Sequence, residues 1–485
     1  MKRLEQIGAR FEVPVAAPGI EVRGLSIDSR RVRPGDAFVA LAGEQGHGLE
    51  HAEAALAAGA VAVLHDAADA VPAALGGRAL GIPDLASRAA ELAAWFHDRP
   101  ADDMDLVGVT GTNGKSSIAW LLAQALDGAM IGTLGIGRPG ELAAATHTTP
   151  DVFSLHRALA ELRDEGVEHV VLEVSSHALE QRRIEGLAFT TTIFTNLGHD
   201  HLDFHRSRDA YGRAKRRLFT DHPARRQLIN VDDAFGRLLV ESLGGSAEAR
   251  VLGYGLDRRH SPDALGTLKA ADLDGLSMEV RTPEGSLSCR APLIGRVNAW
   301  NVLVVATELL LRGGSAVQVA RCIESLKPVP GRMNRVVGPR GQQVVIDYAH
   351  TPDALESALA SLRELATGRL ICAFGCGGDR DREKRPRMGE IAEALADAVV
   401  LCNDNPRGEE PLKILREIQS GMARPDRAPV VPDRLEAITR AVAMAEPGDV
   451  VLIAGKGHET EQVIGEEVRH FSDFEAVRQA LEAAA

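Results

Sequence analysis

A lysine and two serines directly behind spaced glycines give the strongest chemical signal, in Asp105-Leu-Val-Gly-Val-Thr-Gly-Thr-Asn-Gly-Lys-Ser-Ser117. Lys115 supplies a mobile positive charge for outer phosphates, and Ser116 offers a hydroxyl for a magnesium ion. A glycine-rich turn between a strand and a helix aims backbone N–H groups at one spot, at the positive end of the helix dipole. The glycines are Gly108, Gly111 and Gly114, and the usual first glycine of a phosphate loop would fall at Val109, so this is a variant loop. A tight turn with an exposed lysine is the bland alternative. Lysine and serine both in register after the last glycine favour a nucleoside triphosphate site built from Gly111, Thr112, Asn113, Gly114, Lys115, Ser116 and Ser117.

Other chemistry-bearing residues stand at the ends of apolar runs. Glu173 closes Val170-Val-Leu-Glu-Val174 and precedes Ser175-Ser-His177. A carboxylate at a strand end beside a phosphate loop is placed to hold Mg²⁺. Asn196-Leu-Gly-His-Asp-His-Leu-Asp-Phe-His205 is dense in metal ligands. It opens like the binuclear zinc signature of metallo-β-lactamase-type hydrolases, but that signature requires histidine where Phe204 stands. Lys215 has Tyr211 at i−4, Leu218 at i+3 and Phe219 at i+4, which puts it on the apolar stripe of a helix. Two readings stand there. The ammonium can snorkel to solvent, or a desolvated amine of lowered pKa can take up CO₂ as a carbamate. Asp404-Asn-Pro-Arg-Gly-Glu-Glu-Pro411 presents Arg407, whose fork suits a carboxylate. Gly455-Lys-Gly-His-Glu459 adds polar groups after another strand.

Parallel-sheet elements must position these residues. Strands are expected over 107–109, 169–174, 191–194 and 227–230, alternating with helical patterns. Between 251 and 294 the pattern shortens into an antiparallel addition, followed by helices over 297–311 and 316–325. Strands over 344–347, 370–374, 398–402 and 450–454, with a helix over 352–365, restart the rhythm, and polar residues gather at their carboxyl ends, where open α/β sheets bind ligands. Before residue 100, strands are expected near 24–30, 36–41 and 61–64 with a helix over 52–60. Polar, proline-bearing stretches at 98–103 and 327–331 divide the chain into 1–100, 101–327 and 328–485. The fold class is α/β.

At 485 residues, the chain exceeds what one core supports. The net charge of −13 argues against a nucleic-acid binder. The five cysteines have no zinc spacing and fit reduced thiols in the cytoplasm. No run is apolar enough to span a bilayer, and the N-terminal residues lack a signal-peptide core.

Thr110-Gly-Thr-Asn-Gly-Lys-Ser116, Glu173-Val-Ser-Ser-His177, Asp200-His-Leu-Asp203 with Lys215, and Asp347-Tyr-Ala-His-Thr-Pro352 together resemble the Mur ligase family. These are ATP-dependent amide-forming enzymes of peptidoglycan precursor synthesis, and the resemblance spans essentially the whole chain. It implies an N-terminal α/β uridine-binding domain, a central P-loop parallel-sheet ATPase domain and a C-terminal Rossmann-like domain for the incoming amino acid. Asp28-Ser-Arg30, Asp404-Asn-Pro-Arg407 and Gly455-Lys-Gly-His-Glu459 are similar to the member that extends UDP-N-acetylmuramoyl-L-alanyl-D-glutamate. Arg407 points to meso-2,6-diaminopimelate, because lysine-adding members usually lack it.

By position, the resemblance assigns Ile27, Ser29, Glu44, Gln45, Gly46, His147, Thr148, Thr149, Ser175, Gln181 and Arg183 to the UDP-substrate. Asn298, Asn301, Arg332 and Asp347 join the loop in contacting ATP. Arg380, Asp404, Asn405, Pro406, Arg407, Gly455 and Glu459 are assigned to diaminopimelate. Lys115, Glu173, His201 and Lys215 would be catalytic, with Ser116, Glu173, His201 and carbamylated Lys215 around two Mg²⁺ ions. Two positions depart from the family pattern: Ser117 where threonine is common, and His147 where asparagine often precedes the two threonines. The partners implied are small molecules, without nucleic acid or membrane, and the protein is expected to be a cytoplasmic monomer. Folylpolyglutamate synthase, which shares the ATPase core, and a P-loop regulator without turnover are the competing readings.

Overall fold

The computed structural model describes residues 1–43, 46–198, 200–244 and 249–484, without the side chains of Leu202 and Asp203. The chain forms two compact units, Met1–Ala264 and Leu265–Ala485.

The first unit carries two main sheets and two short two-stranded ribbons. Strands β1 (Gly24–Ser26), β2 (Asp36–Ala40), β3 (Ala62–Asp66) and β4 (Ala79–Ile82) pair in parallel in that order. All of β2 is buried, as expected of a parallel strand covered on both faces. Ala37, Val39 and Leu64 face one core with Leu85, Ala89, Leu92 and Phe96 of helix α1 (Leu85–Phe96). Phe38, Ala40 and Val63 face the opposite core with Ala52 and Ala55. The expected helix over 52–60 ends at Ala57, and Gly59, at φ +108°, lies just beyond it.

The second sheet holds the glycine loop. Its elements are β5 (Asp105–Thr110), α2 (Lys115–Ala125), β6 (Ala129–Gly132), β7 (Gly135–Gly137), α3 (Val152–Asp164), β8 (His169–Glu173), α4 (Ser176–Glu180), β9 (Phe189–Phe194), α5 (Arg208–Thr220), β10 (Ala224–Asn230), α6 (Ala234–Leu243) and β11 (Arg250–Gly255). The strand order is β7-β6-β8-β5-β9-β10-β11, parallel except for β7. β5 lies between β8 and β9, with Val109 opposite Glu173 and Thr110 opposite Phe194. The carboxyl ends of these three strands therefore deliver the glycine loop, Glu173 and Thr195–Asn196 to one sheet edge. Residues 250–255 extend the parallel sheet and do not begin the antiparallel part. Gly253 and Gly255 blur their apolar pattern.

In the second unit, β12 (Ala264–Asp272), β13 (Gly275–Thr282) and β14 (Gly285–Ala291) form an antiparallel meander. Helices α7 (Asn298–Leu311) and α8 (Ala316–Ser325) follow, as their periodicity predicts. A further sheet has the order β15 (Asn334–Val337), β16 (Gln343–Asp347), β19 (Val450–Ala454), β17 (Leu370–Phe374), β18 (Ala398–Leu401), parallel apart from β15. One core faces α9 (Pro352–Arg363), α10 (Lys384–Leu395) and α11 (Pro411–Gln419), and the other faces α12 (Arg434–Ala443) and α13 (Asp473–Ala483). Asp347 stands opposite Ala454, and Phe374 opposite Leu401. The loops 375–380, 404–407 and 455–459 thus leave one edge together with Asp347.

Candidate active site

In the first unit the glycine loop is braced by the chain leaving β9. Thr112 N donates to Asn196 O at 2.9 Å, Asn113 N to Asn196 Oδ1 at 3.0 Å, and Thr195 Oγ1 to Asn113 O at 2.6 Å. Two loop amides are thus committed within the protein. The N–H groups left for an anion are those of the first turn of α2, which have no intrahelical acceptor. Gly111 has φ +150°, and a Cβ there would lie 1.8 Å from Thr195 Oγ1, so glycine is required. Lys115 folds over its own loop, donating to Gly111 O and Thr112 O at 2.9 Å each. Burial holds its pKa below the ordinary lysine value, against the pull of Glu173 and Asp200.

Glu173 is fully buried at the end of β8. Its Oε2 accepts from Ser116 Oγ at 2.9 Å and its Oε1 from Thr133 N at 2.9 Å. A Cβ on Gly132 would fall 2.1 Å from Glu173 Oε1, so the glycine makes room for this carboxylate. Burial raises the Glu173 pKa, while Lys115 and the hydrogen bonds from Ser116 and Thr133 oppose the shift. Thr133 was not singled out in the sequence. It follows a short strand, 129–132, that carries no alternating pattern.

The expected substrate residues gather beside Glu173. Thr149 Oγ1 donates to Glu173 O at 2.7 Å and accepts from Ser175 N at 3.0 Å. Arg183 Nη1 donates to Thr149 O at 2.7 Å and its Nε to Gln181 Oε1 at 3.0 Å, while Thr148 and Thr133 hydroxyls are 2.9 Å apart. His147 is exposed, with Nδ1 3.1 Å from Thr146 Oγ1. Arg31 Nη1 donates to that same Thr146 hydroxyl at 3.0 Å, tying this stretch to the turn Ser29–Arg31 at the end of β1, beside exposed Ile27. Gly46, at φ +155°, lies in a short hairpin. Glu44 and Gln45 lie outside the described residues.

Lys215 is 1% exposed on the buried face of α5, which removes the snorkelling alternative. Its Nζ donates to Gly111 O at 2.8 Å and sits 4.3 Å from the Tyr211 ring centroid. Burial, then the charge of Lys115, hold its pKa well below the usual lysine range, and Asp200 opposes them. Tyr211, read from sequence only as part of an apolar stripe, also places its hydroxyl 3.3 Å from Thr112 Oγ1. His201 has φ +53°, and its Nε2 lies 3.5 Å from Asp200 Oδ2. Its ring meets His177 edge-on at 4.8 Å. His199 and the Asp203 side chain lie outside the described residues. Among the described residues, no three His, Cys, Asp or Glu side chains converge as a metal-holding group.

In the second unit, Asn301 Nδ2 donates to Asn298 Oδ1 at 2.8 Å on the first turn of α7. Asp347 accepts from Met333 N and Ala349 N, both at 2.8 Å. Burial raises its pKa, and Arg332, stacked 4.9 Å over Tyr348, opposes this. Asp404 is also buried and its pKa raised, with Arg434 and Lys456 countering. Gly455, at φ +118°, brings the 455–459 loop against it, since a Cβ there would lie 2.6 Å from Asp404 Oδ2. Asn405 Nδ2 donates to Glu459 Oε2 at 2.9 Å, and the fully buried Lys456 Nζ donates to Glu459 Oε2 and Asn405 Oδ1 at 3.1 Å each. The Glu459 carboxylate is therefore already paired within the protein. Pro406 is buried and Arg407 has φ +50°. A Cβ on Gly377 would lie 2.8 Å from Arg407 Nη1 and 3.7 Å from Arg380 Cγ, so the two arginines flank that glycine. Lys456 stands inside the Gly455–Glu459 motif, but its sequence context carries no sign of burial, which only the fold shows.

Three family profiles match in chain order: Mur ligase family, catalytic domain, over residues 21–97; Mur ligase middle domain over 109–308; and Mur ligase, glutamate ligase domain, over 331–457. A protein of Chromobacterium violaceum named UDP-N-acetylmuramoyl-L-alanyl-D-glutamate–2,6-diaminopimelate ligase is 47% identical over 474 residues, 96% of this chain and 95% of that protein. One of the same name from Xanthomonas campestris is 46% identical over 96% of this chain and 95% of its own length. A solved structure of a ligase of that name has a TM-score of 0.71 at 34% identity and covers 98% of both chains. A Mycobacterium tuberculosis folylpolyglutamate synthase structure shares the fold at 18% identity and a TM-score of 0.60, covering 76% of this chain and 92% of its own. With the glycine loop, Glu173, Lys215 and the two loops of the second unit arranged as described, and with near-full-length identity of this order, the chain belongs to the Mur ligase family.

Proposed function

We propose that this chain is the ATP-dependent ligase that joins meso-2,6-diaminopimelate to UDP-N-acetylmuramoyl-L-alanyl-D-glutamate in peptidoglycan precursor synthesis. The observation that carries the ligase chemistry is the sheet edge of the first unit. There a lysine-bearing loop, a buried carboxylate bonded to the loop's Ser116, and a buried amine on Gly111 O meet. The substrate carboxylate attacks the γ-phosphorus of ATP, the bond to the ADP oxygen breaks, and an acyl phosphate forms. The amine of the incoming amino acid then attacks the acyl carbon, loses a proton, and displaces phosphate.

Two anions must meet in the first step, so neutralising charge is the main task. Lys115 and the first-turn N–H groups of α2 serve the ATP phosphates. Ser116 and Glu173 provide hard oxygen donors that fit Mg²⁺, an ion that takes few protein ligands alongside phosphates. When bound, Mg²⁺ offsets phosphate charge. Burial and the charge of Lys115 favour the free amine of Lys215, which suits addition to CO₂, forming an N–C bond with loss of a proton and leaving a carboxylate as a further metal ligand. His201 is assigned to the same metal environment, and Asn298, Asn301, Arg332 and Asp347 to the nucleotide. The working segments are 1–100, 101–327 and 328–485, for uridine nucleotide, ATP and amino acid in turn. The protein is read as a cytoplasmic monomer. No helix among the described residues is long and apolar enough to cross a membrane.

Diaminopimelate differs from lysine chiefly by one terminal carboxylate, and Arg407 is the group that rewards it. Among the described residues the fork is held at Nη1 alone, which donates to Gly378 O at 3.0 Å, and its other edge has no acceptor. A charge-assisted pair is worth about 1.5–3 kcal/mol, roughly ten- to a hundred-fold in preference. Lysine would leave the guanidinium without a carboxylate partner. Asp404 is the acceptor for the distal ammonium, since Glu459 is already engaged by Lys456. Arg407→Ala should raise the KM for diaminopimelate by roughly ten- to a hundred-fold and leave that for ATP within about two-fold. Steady-state kinetics with each substrate varied in turn tests this. An unchanged diaminopimelate KM would remove Arg407 from the amino-acid site.

A further inference from the structure

Arg407 adopts a backbone conformation that residues other than glycine, asparagine and aspartate seldom take, with φ +50°. Its neighbours hold it there. Arg407 N donates to Val463 O at 3.0 Å and Gly465 N donates to Arg407 O at 2.7 Å. Gly408 N donates to Asp379 Oδ2 at 2.9 Å, and Asp379 N to Glu409 Oε1 at 2.7 Å. The 377–379 loop, which receives the Arg407 guanidinium at Gly378 O, is thereby stitched to the residues that follow Arg407.

Beneath both loops lies Arg385 of α10, a fully buried arginine. Its Nη1 donates to Glu409 Oε2 at 2.9 Å and its Nη2 to Glu409 Oε1 at 2.7 Å, a two-pronged pair. The same guanidinium donates to Glu417 Oε2 at 2.6 Å and to Gly377 O at 3.1 Å. One buried cation therefore grips the loop carrying Arg407, through Glu409, and the loop facing it, through Gly377. Nothing in the proposed chemistry uses this pair directly, and its burial leaves it no substrate to touch.

Resting on the assignment of Arg407 to the amino-acid site, we infer that the buried Arg385–Glu409 pair is the positioning device that fixes Arg407 and so sets the preference for a diamino acid with a second carboxylate. The pair stays ionised at working pH. The Arg385 guanidinium draws the Glu409 carboxyl down to about 2, so the contact weakens only as pH falls towards that value. Losing Glu409 removes the grip on Asp379 N and leaves Arg385 with Glu417 and Gly377 O, which releases the Arg407 loop more than the sheet behind it.

The test measures KM for meso-diaminopimelate, ATP and the UDP-substrate, with kcat/KM for lysine, in Glu409→Ala. The diaminopimelate KM should rise about ten-fold and its advantage over lysine fall about ten-fold, with the other two KM values within about two-fold. In an Arg407→Ala background, Glu409→Ala should add less than about two-fold, because both changes remove one coupled function. Glu409→Gln keeps the volume and one strong acceptor and should fall between wild type and alanine. It serves as the reading variant if Glu409→Ala does not fold. Parallel rises in all three KM values, a full effect in the Arg407→Ala background, or unchanged selectivity in both Glu409 variants would overturn the inference. A native enzyme using lysine as readily as diaminopimelate would instead overturn the assignment of Arg407.

Discussion

Lys115→Ala abolishes phosphate release from ATP, by at least about a hundred-fold in kcat, if the glycine loop is the phosphate site. The side chain rests on Gly111 O and Thr112 O, and both are carbonyls of its own loop. Exchanging those two contacts for phosphate oxygens costs little, so the lysine is poised to swing outward. Alanine leaves the two carbonyls to water and does not disturb the brace from Thr195 and Asn196, so the fold should persist. Uridine-nucleotide binding, measured by calorimetry, should be retained, because the proposed uridine residues Ile27, Ser29 and Gly46 lie outside the sheet that carries the glycine loop. Near-normal turnover in the variant would contradict the phosphate-loop assignment.

Lys215→Ala is expected to be inactive at a comparable level, and partly restored by small carboxylates such as formate or acetate. In the proposed reading, Lys215 contributes a negative charge only after taking up CO₂, and that reaction needs the free amine. Burial and Lys115 favour the free amine, so the carbamate should be lost as pH falls through the depressed lysine value. Stability follows the same sign. Between the depressed folded value and the ordinary lysine value, the unfolded chain binds a proton that the folded chain does not. The contribution of Lys215 to stability therefore rises with pH across that window. Depleting bicarbonate should slow the native enzyme and leave Lys215→Ala with added carboxylate unaffected. Full activity of Lys215→Ala without additives would leave a plain buried lysine.

The two sites were legible to different depths. Strand-end residues were found because strand-loop-helix punctuation places ligand groups at carboxyl ends, which located the glycine loop, Glu173 and Asp404, while Asp347 came from the family resemblance. Lys215 was ambiguous because helical spacing gives a face but not whether that face meets solvent; only the packing of α5 decides. Thr133 was missed because it follows a four-residue strand that carries no alternating pattern. The brace from Asn196 could have been anticipated, since Thr195-Asn196 leaves the strand adjacent to β5. Arg385 and Lys456 could not, since charged residues are rarely buried without partners, and their partners Glu409, Glu417, Asn405 and Glu459 assemble only in the fold. Residues 250–255 were misassigned because glycines at 253 and 255 interrupt an otherwise parallel strand.

The most direct measurement offers the native protein ATP, Mg²⁺ and UDP-N-acetylmuramoyl-L-alanyl-D-glutamate with equimolar meso-diaminopimelate and L-lysine, and reads the product by mass. The two products differ by one carboxylate and separate cleanly. Phosphate release should require both the UDP-substrate and an amino acid, and the diaminopimelate adduct should dominate by at least about ten-fold. Phosphate release without an added amino acid, or equal amounts of the two adducts, would contradict the account.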